Sequence, residues 1–313
     1  MNQKISHWKA AFVVPHETAE AFCDALQDAI WPETFAISTS EAEPGSSPLV
    51  QTSSEWNEVE AHGAWRVEAL YLEEPDGAAI RALLKPVEEE TGVTAADLTV
   101  KAVPEEDWIA KSLEGLAPVH AGRFFVYGSH DADKAPASGT PILIEAGRAF
   151  GTGHHATTQG CLEFIDSYLK RQRPLNPLDL GTGTGVLAIA IARVTHEPVL
   201  ASDIDPISVQ VTKDNARANG VGPFVKAVTA KGFDHPEIAA NAPYDLIVAN
   251  ILARPLVKLM PDFAWNLAAG GTMILSGILR TQENMVLSAA RMQEIYLISR
   301  KPIGDWVTLE LRG

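Results

Sequence analysis

The strongest chemical signal in the sequence is a glycine-rich run that follows an apolar segment and precedes a helical pattern. It reads Asp179-Leu180-Gly181-Thr182-Gly183-Thr184-Gly185. Glycines at these positions let a ligand lie against bare backbone, with a helix N-terminus behind it. The dinucleotide motif G-x-G-x-x-G requires a glycine where Val186 stands. The observed G-x-G-x-G therefore favours an adenosyl ligand without a pyrophosphate, and a tight structural turn is the alternative explanation.

Two carboxylates follow the next apolar segment along the chain. Asp203 lies about 20 residues after Gly181, the spacing at which an acidic residue binds ribose hydroxyls in nucleotide-binding folds. Asp205 precedes Pro206, and an acid before a helix-starting proline is typical of an N-cap. We therefore expect Asp203 to contact a ribose and Asp205 to cap a helix over residues 207–219.

A third polar residue, Asn250, ends the apolar segment 244–249. Ligands of open α/β sheets bind at the carboxyl ends of the strands, where this residue is expected to lie. Its neutral amide can accept an N–H bond from an amine and orient the nitrogen lone pair without offering a competing acidic proton. Because asparagine also forms turns at strand ends, a structural role is the alternative.

A second glycine-containing loop lies upstream and leads into a helical pattern over residues 160–169. It reads Phe150-Gly151-Thr152-Gly153-His154-His155-Ala156-Thr157-Thr158. Adjacent histidines rarely chelate one ion, and no third ligand stands at zinc spacing, so we predict no metal site here. A structural role for both histidines is favoured over a proton relay. We expect the loop to close over a cofactor, with Thr158 as a polar contact.

The elements that must position these residues alternate in the C-terminal two thirds of the chain. Short apolar strands are predicted over residues 178–180, 199–202, 225–228, 246–249 and 273–275. With helical patterns between them, they predict a parallel sheet covered on both faces. Runs over 295–299 and 307–311 flank Pro302-Ile303-Gly304-Asp305 and predict a closing hairpin. Such an α/β sheet is typical of class I methyltransferases rather than of dehydrogenases.

The first 104 residues show a different order of patterns. Strands are predicted over residues 8–14, 35–40, 65–72 and 98–103, helices over 17–30 and 77–90, and a polar loop over 44–54. The order β-α-β-β-α-β predicts a ferredoxin-like α+β domain. Residues 105–118 begin with three acids and end at a proline, which predicts a linking helix. We therefore expect two domains, over residues 1–104 and 119–313, joined by this linker.

The amino-acid composition and the net charge exclude several classes of protein. The chain has 313 residues, 46% of them hydrophobic, only two cysteines (Cys23 and Cys161) and a net charge of −15. Residues 1–104 contain six Lys or Arg against eighteen Asp or Glu, a net charge of −12, so only −3 belongs to the remainder. This acidity disfavours direct binding of nucleic acid. No apolar run reaches the roughly 18 residues of a membrane span, and we expect a cytoplasmic monomer with two buried thiols.

Taken together, four ordered motifs resemble those of the bacterial ribosomal protein L11 methyltransferase family. They are FGTGHHATT at 150–158, DLGTGTGVL at 179–187, DIDP at 203–206 and NILA at 250–253. The resemblance covers most of residues 105–313 and is weaker before residue 105. It implies a class I S-adenosyl-L-methionine-dependent methyltransferase with a seven-stranded Rossmann-like sheet, which trimethylates lysine and N-terminal amines of its ribosomal protein.

The resemblance also implies roles for individual residues. The cofactor contacts would be Thr158, Gly181, Asp203 and Asn250, with Gly183 and Gly185 shaping the loop and Asn250 also catalytic. The N-terminal domain would hold the substrate, and its acidity would attract a basic ribosomal protein. The alternatives are a class I methyltransferase acting on RNA or on a small molecule, a nicotinamide-dependent dehydrogenase, and a binding module that retains the fold without catalysis.

Overall fold

The computed structural model describes most of the chain, and contacts within it divide the chain into two compact units. The described residues are 5–28, 34, 36–42, 49–52, 55–58, 64–71, 73–104, 118–134, 136, 138–144 and 155–313. The units are Met1–Trp108 and Ile109–Gly313. The predicted linker helix over 105–118 lies outside the described residues except for its last residue, and so does the glycine-containing loop through His154.

The first unit contains an antiparallel four-stranded sheet and two helices. Its elements are β1 (Ile5–Pro15), α1 (His16–Asp28), β2 (Ala36–Glu41), β3 (Leu49–Thr52), β4 (Glu55–Glu58), β5 (Ala64–Tyr71), α2 (Gly77–Thr91), β6 (Val93–Thr94) and β7 (Ala96–Pro104). The sheet order is β2-β5-β1-β7, which is the ferredoxin-like arrangement of a β-α-β-β-α-β chain. The prediction of a polar loop over residues 44–54 is partly wrong, because strand β3 lies within this range and pairs with β4 and β6.

Burial of aromatic and aliphatic side chains holds the first unit together. Phe12 of β1 and Phe22 of α1 are fully buried with ring centroids 5.8 Å apart. The second helix begins after Asp76, whose carboxylate accepts the N–H of Ala78, and it ends at Gly92 in the left-handed conformation. These caps fix the helix ends, and burial of Ile80 and Leu84 on its apolar face supplies the stability.

The second unit is built on a seven-stranded sheet. Its elements are β8 (Val119–Ala121), β9 (Phe124–Tyr127), β10 (Thr140–Leu143), α3 (His155–Arg171), β11 (Pro177–Leu180), α4 (Val186–Thr195), β12 (Val199–Asp203), α5 (Pro206–Ala218), β13 (Val225–Thr229), α6 (Pro236–Asn241), β14 (Tyr244–Asn250), α7 (Ala253–Asn266), β15 (Leu267–Leu279), α8 (Glu283–Arg291), β16 (Tyr296–Ile303) and β17 (Trp306–Arg312). Two 3-10 turns, Ser129–Lys134 and Arg280–Gln282, complete the list.

The order of the large sheet is β13-β12-β11-β14-β15-β17-β16, with β17 antiparallel to both of its neighbours. This is the doubly wound class I methyltransferase arrangement that the sequence predicts. Strands β11 and β14 are almost wholly buried, as expected for central parallel strands covered on both faces. The fold of this unit therefore brings the carboxyl ends of β11, β12, β14 and β15 to one edge.

The connection between the two strands of the closing hairpin is shorter than the sequence predicts. Strand β16 continues through Pro302 and Ile303, so the connection is only Gly304-Asp305, with Gly304 at φ +59°. Proline is tolerated there because β16 lies at the edge of the sheet, where an N–H on the outer side has no strand to bond. A separate three-stranded sheet, β10-β9-β8, was not predicted.

Within the described ranges, no helix combines the length and apolar character that crossing a membrane requires.

Candidate functional site

The glycine-rich run forms a tight loop between β11 and α4. Gly181, Gly183 and Gly185 have φ values of +73°, +54° and +86°, a region that side-chain-bearing residues rarely adopt. The N–H groups of Gly181 and Thr182 both donate to the carbonyl of Ser202, at 2.8 and 2.9 Å. The loop is thereby fastened to the end of β12, with Gly181 partly buried and Gly183 and Gly185 buried.

Neighbouring elements leave no room for side chains on two of these glycines. A Cβ on Gly181 would lie 2.3 Å from the Ile251 Cγ2, and one on Gly185 would lie 2.9 Å from the Thr212 Cγ2. Helix α5 also binds the loop directly, because the Thr212 hydroxyl donates to the Gly183 carbonyl at 3.0 Å. The close packing accounts for the glycines at 181 and 185 independently of any ligand.

Asp179 lies one residue before the end of β11. It begins the glycine-rich motif, but the sequence pattern predicts no role for it. It is fully buried, and its Oδ2 accepts the Thr182 hydroxyl at 2.7 Å and the Ala188 N–H at 3.0 Å. The second bond caps the first turn of α4 from a neighbouring strand. Burial, together with the charge of Asp203, raises the pKa of Asp179 to about 7. The available signal was an acid inside an otherwise apolar strand.

Among the described residues, the other oxygen of Asp179, Oδ1, has no hydrogen-bond partner. It is a buried polar atom, and leaving such an atom unpaired costs free energy. This oxygen belongs to the carboxyl group that bonds the glycine-rich loop through Thr182. The loop is the backbone at which we expect a ligand to bind. This unpaired oxygen is one local feature that a polar group of a bound cofactor would satisfy.

Asp203 lies at the end of β12, where the sequence predicts the ribose contact. Its Oδ2 accepts the Gly183 N–H at 2.8 Å and its Oδ1 accepts the Asp205 N–H at 3.0 Å. Burial raises the pKa of this carboxyl. A carboxylate has about four acceptor positions, so two bonds leave capacity for ribose hydroxyls. The cap predicted at Asp205 is confirmed, since its carboxylate accepts the N–H groups of Ile207 and Ser208.

Asn250 is the last residue of β14 and lies at the same edge of the sheet. Its side-chain Nδ2 donates to the Thr157 hydroxyl at 3.3 Å. Thr157 is buried in the first turn of α3, and Thr158, the expected cofactor contact, follows it and is also buried. The amide nitrogen of Asn250 is thus held by a partner, which orients its carbonyl oxygen. Sequence reasoning missed Thr157, although the paired threonines marked the place.

The structure bonds one pair of predicted site residues directly and joins Asn250 to the neighbour of another. Asp203 bonds Gly183 directly, and Asn250 bonds the residue before Thr158. Gly181 connects the pairs, because its α-carbon faces the Ile251 side chain next to Asn250. Of the two histidines in the upstream loop, His154 lies outside the described residues and the side chain of His155 is not described. Across the described part of the chain, no group of three His, Cys, Asp or Glu could hold a metal ion.

Comparison with known proteins identifies a matching family and similar relatives. The model of the family "Ribosomal protein L11 methyltransferase (PrmA)" matches residues 6–313. A ribosomal protein L11 methyltransferase of Mesorhizobium japonicum is 47% identical over 263 residues, covering 84% of this chain and 87% of the relative. One of Rhizobium etli is 42% identical over 294 residues, covering 93% of this chain and 94% of the relative.

A solved structure adds evidence at the level of the fold. The crystal structure of a ribosomal protein L11 methylase from Lactobacillus delbrueckii subsp. bulgaricus matches with a TM-score of 0.55 and 27% sequence identity. The match covers 62% of this chain and 97% of that one. Because the family model spans nearly the whole chain and these relatives are 42% and 47% identical to it over the matched residues, this chain belongs to the ribosomal protein L11 methyltransferase (PrmA) family.

Proposed function

We propose that this chain methylates lysine side-chain and N-terminal amines of ribosomal protein L11, with S-adenosyl-L-methionine as the donor and trimethylated amines as products. Family membership supports the reaction and the substrate. The observation that carries the proposal is the placement of Asn250 and the Asp203–Gly183 pair at one edge of a class I methyltransferase sheet.

The residues present fit an adenosyl donor. The glycines of the loop place no side chains between the backbone and a ligand at the start of α4, and Asp203 keeps acceptor positions for ribose hydroxyls. Thr158, Gly181 and Asn250 complete the proposed cofactor contacts, with Gly185 shaping the loop. When bound, the donor supplies an electrophilic methyl group on a cationic sulfur.

Asn250 would act on the amine that receives the methyl group. Because its Nδ2 is engaged by Thr157, its Oδ1 is the atom that would accept an N–H of the substrate amine. That bond would hold the nitrogen lone pair in line with the methyl group. The amide has no acidic proton to give, so it does not convert the amine back to ammonium.

Loss of a proton from the substrate is the main energetic barrier before transfer. A lysine with a pKa of about 10.4 costs roughly 4.6 kcal/mol to present as a neutral amine at pH 7, and an N-terminal amine costs only about 1 kcal/mol. A cationic donor and a dry pocket both disfavour ammonium, so they reduce this cost without a dedicated base. N-terminal amines should therefore react over a wider pH range than lysines.

We further propose that the acidic first domain, residues 1–104, holds the basic substrate, that residues 105–118 act as a linker, and that residues 119–313 perform the transfer. The enzyme would work as a cytoplasmic monomer without binding nucleic acid directly. A methyltransferase acting on RNA or a small molecule has the same sheet, but the relatives named above favour the protein substrate. A nicotinamide dehydrogenase is disfavoured by Val186.

Transfer of a tritiated methyl group tests this proposal directly. The purified enzyme would be incubated with the labelled donor and, separately, with ribosomal protein L11, ribosomal RNA and a metabolite fraction. Label should enter the protein alone, and mass spectrometry should place it on amines. Label in RNA or in small molecules instead would overturn the substrate assignment, and no binding of the donor in calorimetry would overturn the function altogether.

A further inference from the structure

A chain of three buried hydroxyl-bearing residues lies behind Asn250. Ser276 is adjacent to Asn250 in the parallel register of β14 and β15. Its Oγ lies 3.3 Å from the Thr157 carbonyl and 2.8 Å from the Thr308 Oγ1 on β17. Thr157, Ser276 and Thr308 are 4%, 0% and 2% exposed. We call these residues the hydroxyl chain.

The chemistry of the partners fixes the direction of its hydrogen bonds. A carbonyl oxygen can only accept, so Ser276 donates its one hydroxyl proton to Thr157. Thr308 must then be the donor in its contact with Ser276. Asn250 donates to the Thr157 hydroxyl. Thr157 is therefore held through its side chain by β14 and through its main chain by β15.

Close packing of α3 against the sheet reinforces this arrangement. A Cβ on Gly160 would lie 2.2 Å from the Thr308 Oγ1. The backbone of α3 therefore lies so close to β17 that a residue with a side chain would not fit at this position. Cys161, the next residue, is fully buried. The first turn of α3 thus lies against β15 and β17 in one position, and this turn carries both Thr157 and Thr158.

We propose that Ser276 is a positioning residue for methyl transfer, which fixes the first turn of α3 and, through Thr157, the side-chain amide of Asn250. The inference rests on the proposed function, because it assigns Ser276 a part in the geometry of that site. A displacement of about 1 Å at a reacting group can cost about 100-fold in rate. One buried bond can therefore matter more to turnover than to folding.

Three variants separate positioning from folding. Ser276→Ala removes the bond to Thr157 and leaves the Thr308 hydroxyl buried without its acceptor. Thr308→Val keeps the shape of the side chain and leaves the Ser276 bond to Thr157 intact. The double variant Ser276→Ala/Thr308→Val removes both hydroxyls, so that no orphaned donor remains, and replacing both partners of a buried bond can be nearly neutral for stability.

Calorimetry with S-adenosylhomocysteine, turnover on ribosomal protein L11 and the melting temperature would be measured for each variant. Ser276→Ala should bind S-adenosylhomocysteine about tenfold more weakly, should lose about tenfold or more in kcat, and should melt earlier. For Thr308→Val, both the affinity for S-adenosylhomocysteine and kcat should stay within about twofold of the wild-type values. The double variant should regain the melting temperature without regaining affinity or kcat.

The outcomes distinguish this inference from the proposed function. If the double variant recovers affinity and turnover together with its melting temperature, Ser276 has a structural role only and the inference is overturned. If the wild type binds S-adenosylhomocysteine but does not methylate ribosomal protein L11, the proposed substrate fails, and the calorimetric comparison still decides the role of Ser276. If the wild type binds no S-adenosylhomocysteine, both proposals fail.

Discussion

Within the described ranges the Asn250 side chain has one hydrogen-bond partner, which orients the amide, and its carbonyl oxygen is the atom that the proposed reaction needs. Its Nδ2 donates to Thr157, which leaves Oδ1 for the substrate amine. Removal of the amide in Asn250→Ala should therefore reduce kcat by about 100-fold or more, while affinity for the donor falls only about fivefold. Turnover under saturating conditions and calorimetry with the donor measure the two effects separately.

A buried asparagine elsewhere in the same unit provides the control. Asn266 ends α7, is 8% exposed and donates to the Asp262 carbonyl at 2.8 Å. Asn266→Ala should lower stability and leave turnover per folded molecule unchanged. Equal losses of kcat in the two variants would remove Asn250 from the chemistry.

The buried carboxyl of Asp179 predicts a pH dependence of stability. Its pKa is raised from 3.8 to about 7 by burial and by the charge of Asp203. The folded protein therefore retains a proton that the unfolded chain has released, and stability falls as pH rises from about 4 to about 7. Between about pH 6 and about pH 8 this group alone should remove about 1.4 kcal/mol from the free energy of unfolding.

Asp179→Asn tests the sign of this effect. The amide has no proton to lose in this range, so the variant should become more stable relative to the wild type as pH rises. Urea unfolding of both proteins across the range measures the difference. A difference that is constant with pH would show that Asp179 keeps its charge in the folded state throughout.

The sequence predicts the polar residues at the ends of the strands, but not the hydrogen bonds that hold their side chains. Asp203 and Asn250 were predictable because parallel strands of one sheet end at the same edge. The bonds of Asn250 to Thr157 and of Ser276 to Thr157 join residues 93 and 119 positions apart. No local pattern encodes such contacts, since they depend on how a helix lies across three strands. The buried environment of Asp179 was hidden for the same reason.

Two of the three glycines in strand β15 have similar positive φ angles and different surroundings. Gly277 has φ +81°, and a Cβ there would lie 2.3 Å from the Ile251 carbonyl oxygen. Gly270 has φ +72°, and a Cβ there would meet nothing within 4 Å. Gly277→Ala should therefore lower the free energy of unfolding by about 3 kcal/mol or more, against about 1 kcal/mol for Gly270→Ala.

Urea unfolding of the two variants gives the comparison, with Gly270→Ala as the control for backbone strain alone. Gly277→Ala should also reduce methyl transfer, because Ile251 follows Asn250 in the chain and must move. Equal destabilisation in both variants would mean that the Ile251 backbone yields without cost, and that Gly277 is required only for its positive φ.

The elements that the sequence predicted best are the buried parallel strands of the large sheet. Strand β14 is recognisable because central parallel strands are continuous apolar runs bounded by polar residues. The small sheets were missed because β3, β4, β6 and β8 to β10 have at most four residues each, which is too short for an alternating pattern to stand out. Their pairing depends on distant segments rather than on local propensity.

The uneven charge of the whole chain predicts how it meets its substrate. Residues 1–104 carry −12 of the total −15, and a basic ribosomal protein would be attracted over distances comparable to the Debye length. Affinity for ribosomal protein L11 should therefore fall by about tenfold between about 50 and about 300 mM salt. Binding measured by calorimetry across this range tests the prediction.

Variants of exposed acids locate the source of the attraction. Glu89→Gln/Glu90→Gln on α2 should slow association, whereas Asp262→Asn/Asp305→Asn in the second unit should change it little, since all four side chains are exposed. Affinity that is insensitive to salt, or an equal effect of both pairs, would contradict a role for the acidic first unit in capture.

The place of β17 sets an order of events in folding. This strand follows β16 in the chain but lies between β15 and β16 in the sheet, and it supplies Thr308, the partner of Ser276. The glycine loop and Asp203 can form while β17 is still unplaced, whereas the surroundings of Ser276 cannot. A refolding molecule should thus form its glycine loop first, and should order the helix turn behind Asn250 only after β17 has inserted between β15 and β16.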